Sequence, residues 1–278
     1  MRFSYLFPDR VYLRMLYRLE MGKKLHLNTP VLFSEKIQWL KLNQKDEIFT
    51  QLVDKLAVKE HISRVLGSEY ICPVLKVWDN VEDIDFDTLP RQFVLKTSHG
   101  GGNVGVVVCH DKQHLDQNGT KAKLKSSIES DIYSKFREWP YKNVPRRIFA
   151  EQYLGKDIDD YKFYCCDGEV VCILLCRGRQ ARHVKYYFFD KEWNICPYNK
   201  DSILIGKQAP CAPPDNLDSL LRIASELSKG FPFVRIDLYD VNNHIYFGEY
   251  TFYPASGLDP KKTDEFDKML GEKIHLNM

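Results

Sequence analysis

The residues best suited to chemistry in this chain lie at 93–108, which read Phe-Val-Leu-Lys-Thr-Ser-His-Gly-Gly-Gly-Asn-Val-Gly-Val-Val-Val. The apolar residues 93–95 and the β-branched residues 104–108 predict strands on either side of a glycine loop. Lys96 stands at the mouth of that loop, with Ser98 and His99 on its rim and Gly105 at its far end. Gly100, Gly101 and Gly102 can adopt positive φ and let bare amide N–H groups approach a ligand, while Lys96 supplies a point charge. Together these features suit phosphate. The alternative is a plain hairpin with a glycine-rich turn.

Three known glycine motifs fit less well. Gly100, Gly102 and Gly105 spell G-x-G-x-x-G, but a valine strand follows where the dinucleotide fingerprint needs a helix. A Walker loop carries its lysine after the glycines, next to Ser or Thr, whereas Lys96 precedes them. Protein kinases also place the lysine after the loop, and their catalytic-loop and D-F-G signatures are missing here.

A second constellation lies near the other end of the sequence. Residues 231–239 and 245–252 predict two strands joined by an Asn-rich turn. If 242–244 form a three-residue loop, Asp237 faces Glu249 across the hairpin; a two-residue turn would pair Asp237 with Gly248 instead. Facing carboxylates repel unless a cation or proton lies between them, so the first register predicts a divalent metal, and hard oxygens beside phosphates suit Mg²⁺. Two solvated carboxylates on an exposed sheet face are the alternative.

The elements that must hold these groups can be read from periodicity. Val11, Met15 and Leu19 recur at helical spacing, and a second helix is expected to start near Ser34 as its cap. A third helix is expected over 49–66, a strand over 74–78, and an acidic connector over 79–90. A polar helix over 121–132 and a strand over 148–154, interrupted by Glu151, follow. Strands at 161–165, 170–176 and 184–189 alternate like an antiparallel sheet, with a hairpin turn at Asp167-Gly168, and a helix is expected over 217–229.

Length and composition exclude several classes. The 278 residues are 44% hydrophobic, enough for one large or two smaller domains. Forty basic against 38 acidic residues give a net charge of +2, so no global field recruits nucleic acid or anionic membrane. No run reaches the roughly 18 apolar residues of a membrane span, and the first residues lack a signal-peptide core, so a cytoplasmic protein is expected. The eight cysteines form no C-x-x-C pair and mostly sit among apolar neighbours, as buried thiols do.

Taken in order, the motifs resemble those of ATP-grasp enzymes: Asp54-Lys55, the Lys96 glycine loop, Glu151-Gln152-Tyr153-Leu154, Asp160-Tyr161-Lys162, Arg235-x-Asp237 and Glu249-x-Thr251. The resemblance is strongest to the TupA-like branch found with cell-surface polysaccharide genes. Phe33-Ser34-Glu35-Lys36-Ile37-Gln38-Trp39-Leu40, Tyr161-Lys162-Phe163 and the segment 229–237 carry it, over about residues 10–275. The resemblance implies an α+β fold with two α+β subdomains gripping ATP: a helical region at 1–50, a small subdomain at 51–153 and a large one at 154–278.

The resemblance also implies roles. Lys55 and Lys96 would hold the α- and β-phosphates, with 98–105 closing as a lid. Glu151, Gln152, Tyr153 and Leu154 would form the adenine hinge, through backbone groups of Gln152 and Leu154. Lys162 would face the phosphates or the acyl substrate, Arg235 would stabilise developing negative charge, and Asp237 and Glu249 would hold Mg²⁺. Thr251 stands where the family has Asn and is a shorter ligand. Ser256, Gly257 and the basic residues Arg177, Arg179, Arg182 and Lys185 are candidates for contact with an acidic acceptor.

The chemistry implied is ATP-dependent ligation of a carboxylate to an amine through an acyl phosphate. The partners would be a small amine donor and an acidic glycan or peptide acceptor. A sugar or polyol kinase built on the same residues and a catalytically silent nucleotide-binding module are the competing readings. A glycosyltransferase is weaker, because Asp83-Ile84-Asp85 and Asp85-Phe86-Asp87 spell D-x-D only within the acidic connector.

Overall fold

A computed structural model of the chain describes residues 7–101, 104–156, 158–178 and 184–277. In chain order the elements are α1 (Asp9–Met21), α2 (Phe33–Asn43), α3 (Glu47–Val53), α4 (Ala57–Val65), β1 (Val74–Trp78), β2 (Phe93–Thr97), β3 (Val106–Cys109), α5 (Gln117–Ile128), α6 (Ile132–Phe136) and β4 (Ile148–Gln152). There follow β5 (Asp160–Cys166), β6 (Glu169–Arg177), β7 (Lys185–Phe189), β8 (Ile195–Cys196), α7 (Lys200–Ile205), α8 (Leu217–Ser228), β9 (Val234–Val241), β10 (His244–Thr251) and α9 (Asp264–Lys273). They fall into two compact units, Lys45–Gly155 and Met1–Gln44 with Lys156–Met278, so the chain leaves the second unit after Gln44 and re-enters it at Lys156. Both units mix helix with antiparallel sheet, which makes the protein α+β.

The 45–155 unit is built on a four-stranded sheet of order β1-β4-β2-β3. Alternation along the strands sends Phe93 and Leu95 of β2, with Ile148 and Ala150 of β4, to one face. There they join Trp78, Phe86 and Leu124 in the hydrophobic core. The same alternation leaves Lys96 and Glu151 together on the opposite face. The helix expected over 49–66 is broken in two. Asp54 ends α3, and its carboxylate accepts the amides of Leu56 (2.8 Å) and Ala57 (3.3 Å) at the start of α4.

The other unit carries a six-stranded antiparallel sheet of order β10-β9-β5-β6-β7-β8. The helix α8 buries Leu220, Ile223, Ala224 and Leu227. It covers the face of β5 that bears Cys165, whose Sγ lies 3.9 Å from the Ala224 carbonyl. On the reverse face Tyr164, Phe188, Phe233 and Phe266 form an aromatic cluster with Phe33 of α2, the Phe33 and Phe233 rings 4.9 Å apart. The helix α2 starts one residue before Ser34. Leu32 flanks it, and Glu35 takes the capping role, accepting the amides of Val31 (3.0 Å) and Leu32 (3.2 Å). Ser34 is buried and bonds Asp267 (2.8 Å) and Tyr17 (2.8 Å).

Candidate active site

The hairpin β9–β10 sets the first cluster. Its turn is the two-residue one, Asn242-Asn243, both at positive φ (53° and 63°), with Val241 facing His244. That turn alone would pair Asp237 with Gly248. A β-bulge between Phe247 and Glu249 takes up the odd residue, and Glu249 faces Asp237 after all. Gly248 suits the bulge because a Cβ there would lie 2.9 Å from the Asp237 carbonyl oxygen and 3.1 Å from the Tyr239 ring.

Lys162 of β5 faces Asp237 of β9, and Tyr164 faces Arg235, so the polar groups gather at one end of the face that carries the aromatic cluster. Lys162 Nζ donates to Asp237 Oδ2 and sits 2.7 Å from Asp160 Oδ2. Arg235 grips Asp237 with two hydrogen bonds, Nε to Oδ1 at 2.6 Å and a terminal nitrogen to Oδ2 at 2.8 Å. The same terminal nitrogen reaches Glu249 Oε1 (3.2 Å) and Thr251 Oγ1 (3.0 Å), and Thr251 donates to Glu249 at 3.2 Å. Burial pushes the Asp237 carboxyl up, but Arg235 and Lys162 outweigh it and hold the group below the usual Asp range. Burial likewise opposes the charge on Arg235, and Asp237 more than restores it.

Carboxylate and hydroxyl oxygens are the donors a hard cation takes, and in this structure the Arg235 guanidinium lies between Asp237 and Glu249. Asp160, Asp237 and Glu249 against Lys162 and Arg235 leave one negative charge in excess, and the oxygens are two facing carboxylates with a hydroxyl beside them. No group of three or more His, Cys, Asp or Glu among the described residues is arranged as a metal cage. Asp160 joins this cluster as well: it entered the sequence reading only as the first residue of the Asp160-Tyr161-Lys162 motif, with no role given to it, and its place two residues before Lys162 puts both on the same strand face.

The second cluster belongs to the 45–155 unit. Glu151 is 4% exposed and bridges two lysines, Lys96 at 2.5 Å and Lys59 at 2.6 Å. Burial raises its carboxyl, and the two ammonium groups bring it below the ordinary Glu range. Lys59 sits one helical turn after Lys55, a spacing that was readable but unused. Lys55 is tied to the glycine loop twice, its amide to the Ser98 carbonyl (3.0 Å) and its ammonium to the Gly100 carbonyl. The loop joins β2 to β3, with Gly100 at φ 106°. A Cβ on Gly101 would meet nothing within 4 Å, whereas one on Gly105 would lie 2.1 Å from Thr97 Oγ1. Gly102 lies outside the described residues.

The remaining candidates are distributed as follows. Ser98 is fully buried, donating to the Pro145 carbonyl (2.5 Å) and accepting from the Arg147 amide (2.9 Å). His99 is 2% exposed, and burial, with Arg146 and Lys55 nearby, keeps its ring neutral at lower pH than usual. The Gln152 amide donates to Pro73 (3.0 Å), and the Tyr153 hydroxyl bonds His110 (3.1 Å), while Leu154 lies just past the end of β4. Ser256 and Ala255 take positive φ in the turn after β10. Buried Lys41 donates to the Ser256 carbonyl and hydroxyl, both at 2.7 Å, and Gln38 donates to the same carbonyl at 2.9 Å. Arg177 lies 3.4 Å from Asp159 and Lys185 3.2 Å from Asp201; Arg179 and Arg182 lie outside the described residues.

Sequence comparison decides what these clusters belong to: residues 35–275 match the family described as TupA-like ATPgrasp. The chain belongs to that family. Among solved structures this ATP-grasp chain is similar to D-alanine–D-alanine ligase from Bacillus anthracis, at 19% identity and TM-score 0.46, over 81% of this chain and 66% of that one. It is also similar to the D-alanine–D-alanine ligase of Helicobacter pylori, at 14% identity and TM-score 0.47, over 87% and 68%. The ATP-grasp ligase PsnB complexed with a minimal precursor aligns at 13% identity and TM-score 0.39, over 78% and 59%. The chain thus spans just under two thirds of the Bacillus anthracis enzyme. A comparison with curated proteins finds no match.

Proposed function

We propose that this TupA-like ATP-grasp protein is an ATP-dependent carboxylate-amine ligase. Its product would be an amide joining an amino acid or small amine to a uronic-acid or acidic peptide group of a cell-surface polysaccharide precursor. The observation that supports this reading most is the cluster of buried Lys162 and Asp237 with half-buried Arg235, Glu249 and Thr251 on one sheet face of an ATP-grasp chain. Ligation through an acyl phosphate needs charge stabilisation more than a protein nucleophile, and the cluster offers cations and carboxylates without Ser, Cys or His among them.

In the proposed reaction the acceptor carboxylate attacks the γ-phosphate of ATP and ADP departs. The amine then attacks the acyl phosphate carbonyl, loses a proton and expels inorganic phosphate. Lys55, Lys96 and the amides of Gly100 and Gly101 hold the nucleotide phosphates, and the ion pair with Glu151 directs Lys96. Lys162 and Arg235 meet the charge that builds on the transferring group and on the tetrahedral oxyanion. When bound between Asp237 and Glu249, Mg²⁺ would neutralise phosphate oxygens. No helix among the described residues is long and apolar enough to cross a membrane, and the need for ATP points to a cytoplasmic reaction.

The test is incubation with ATP, Mg²⁺ and paired uronic acids and amines. ADP and phosphate release that requires both partners, with an amide detected by mass spectrometry, is the expected result. A phosphorylated sugar formed without an amine would make the protein a kinase and overturn the proposal.

A further inference from the structure

The first helix shows its apolar side to solvent. Leu13 and Tyr17 of α1 are fully buried, so the direction opposite them, counted at about 100° per residue, falls on Met15. Val11 and Leu19 lie about 40° to either side of it. All three are exposed, at 41% for Val11, 47% for Met15 and 79% for Leu19. An outward apolar ridge about 12 Å long results, and Phe7, just before the helix, is also exposed.

Charge borders that ridge asymmetrically. Arg14 and Arg18 run along one edge of it with Arg10 beyond them, and all three are exposed. Arg10 is steadied by Asn28 at 2.7 Å and Arg18 by the Gly22 carbonyl at 3.3 Å. The helix's own acidic residues, Asp9 and Glu20, point about 120–140° away from Met15. A ridge of separate apolar side chains with a cationic border matches an anionic bilayer, where the ridge enters the boundary below the headgroups and the guanidinium groups stay at the phosphates.

We propose that α1 docks this protein on an anionic lipid surface, lying in its plane without crossing it. The test uses the full chain, sedimented with vesicles of phosphatidylcholine alone and of equimolar phosphatidylcholine and phosphatidylglycerol. Binding is expected to the anionic vesicles only and to weaken as salt rises. Each arginine near such a surface contributes about a fivefold change in partitioning, so Arg14→Gln with Arg18→Gln should weaken binding about 25-fold. Met15→Ser with Leu19→Ser should abolish retention while leaving the melting temperature unchanged, since both positions are exposed. Failure to pellet with anionic vesicles, or full pelleting of both variants, would overturn the proposal. So would a wild-type dimer in sedimentation that Met15→Ser with Leu19→Ser converts to monomer, because a second copy would then cover the ridge.

Discussion

Arg235 contacts Asp237, Glu249 and Thr251 at once, and Asp237 is only 1% exposed. Removing the guanidinium strands a buried carboxylate, so Arg235→Gln is expected to cost about 3–5 kcal/mol, read as a lowered urea midpoint at neutral pH. A loss within about 0.5 kcal/mol would mean that Lys162 neutralises Asp237 alone. The depressed Asp237 carboxyl also fixes a sign in pH. Its contribution is complete above the unfolded Asp value of about 3.9 and is lost as pH falls through its lower folded value. Wild-type stability should therefore drop steeply below about pH 4, and Asp237→Asn, less stable at neutral pH, should drop more gently. Parallel declines would show that Asp237 titrates normally. Lys96 stood out in the sequence by its place at the mouth of the glycine loop, and Asp237 and Glu249 by facing each other across a hairpin. Asp160 entered only as the first residue of the Asp160-Tyr161-Lys162 motif, and Lys59 did not enter at all, because its partner Glu151 is far away in the chain.

The β9–β10 hairpin reached the expected register by an unexpected route. The facing pair Asp237 and Glu249 followed from counting residues to a three-residue loop, but the turn has two residues and a bulge at Gly248 restores the count. Single-sequence pattern does not reveal a bulge, since its signal is one glycine in an otherwise ordinary strand. Gly248→Ala should destabilise by about 1–3 kcal/mol in urea unfolding, because its Cβ meets the Asp237 carbonyl. Full stability in that variant would mean that the bulge relaxes freely. The glycine loop offers a matched contrast. Gly101→Ala, which meets nothing within 4 Å, should change stability by less than about 0.5 kcal/mol, whereas Gly105→Ala intrudes on Thr97 and Ser127 and should cost about 1–3 kcal/mol. Equal effects of the two would contradict this account of the loop. Strands were read well because alternation repeats every two residues. The 49–66 helix was read as continuous because Asp54 caps a new helix by a side-chain bond that hydrophobic spacing does not encode.

The chain as a whole is two α+β units: the four-stranded sheet has its hydrophobic core on one face and Lys96 and Glu151 on the other, while the six-stranded sheet has apolar cover on both faces, with the ionised residues at one end of the aromatic one. The order of motifs along the sequence carried the family, while the return of Met1–Gln44 to the unit formed by Lys156–Met278 did not show in composition. The TupA-like motif residue Gln38 of α2 acquires a physical role only in three dimensions, where it holds the Ser256 turn together with Lys41, just beyond the motif. On the proposed function, the glycine-loop lysine and the β9–β10 carboxylates both act on one nucleotide. Thermal unfolding with and without ATP and Mg²⁺ checks this on wild type, Lys96→Ala and Asp237→Asn with Glu249→Gln. ATP at about 100 times its dissociation constant should add roughly 2.7 kcal/mol to the wild type, and both variants should lose that gain. A wild type that melts cooperatively at one temperature with or without ATP and Mg²⁺ would contradict the claim.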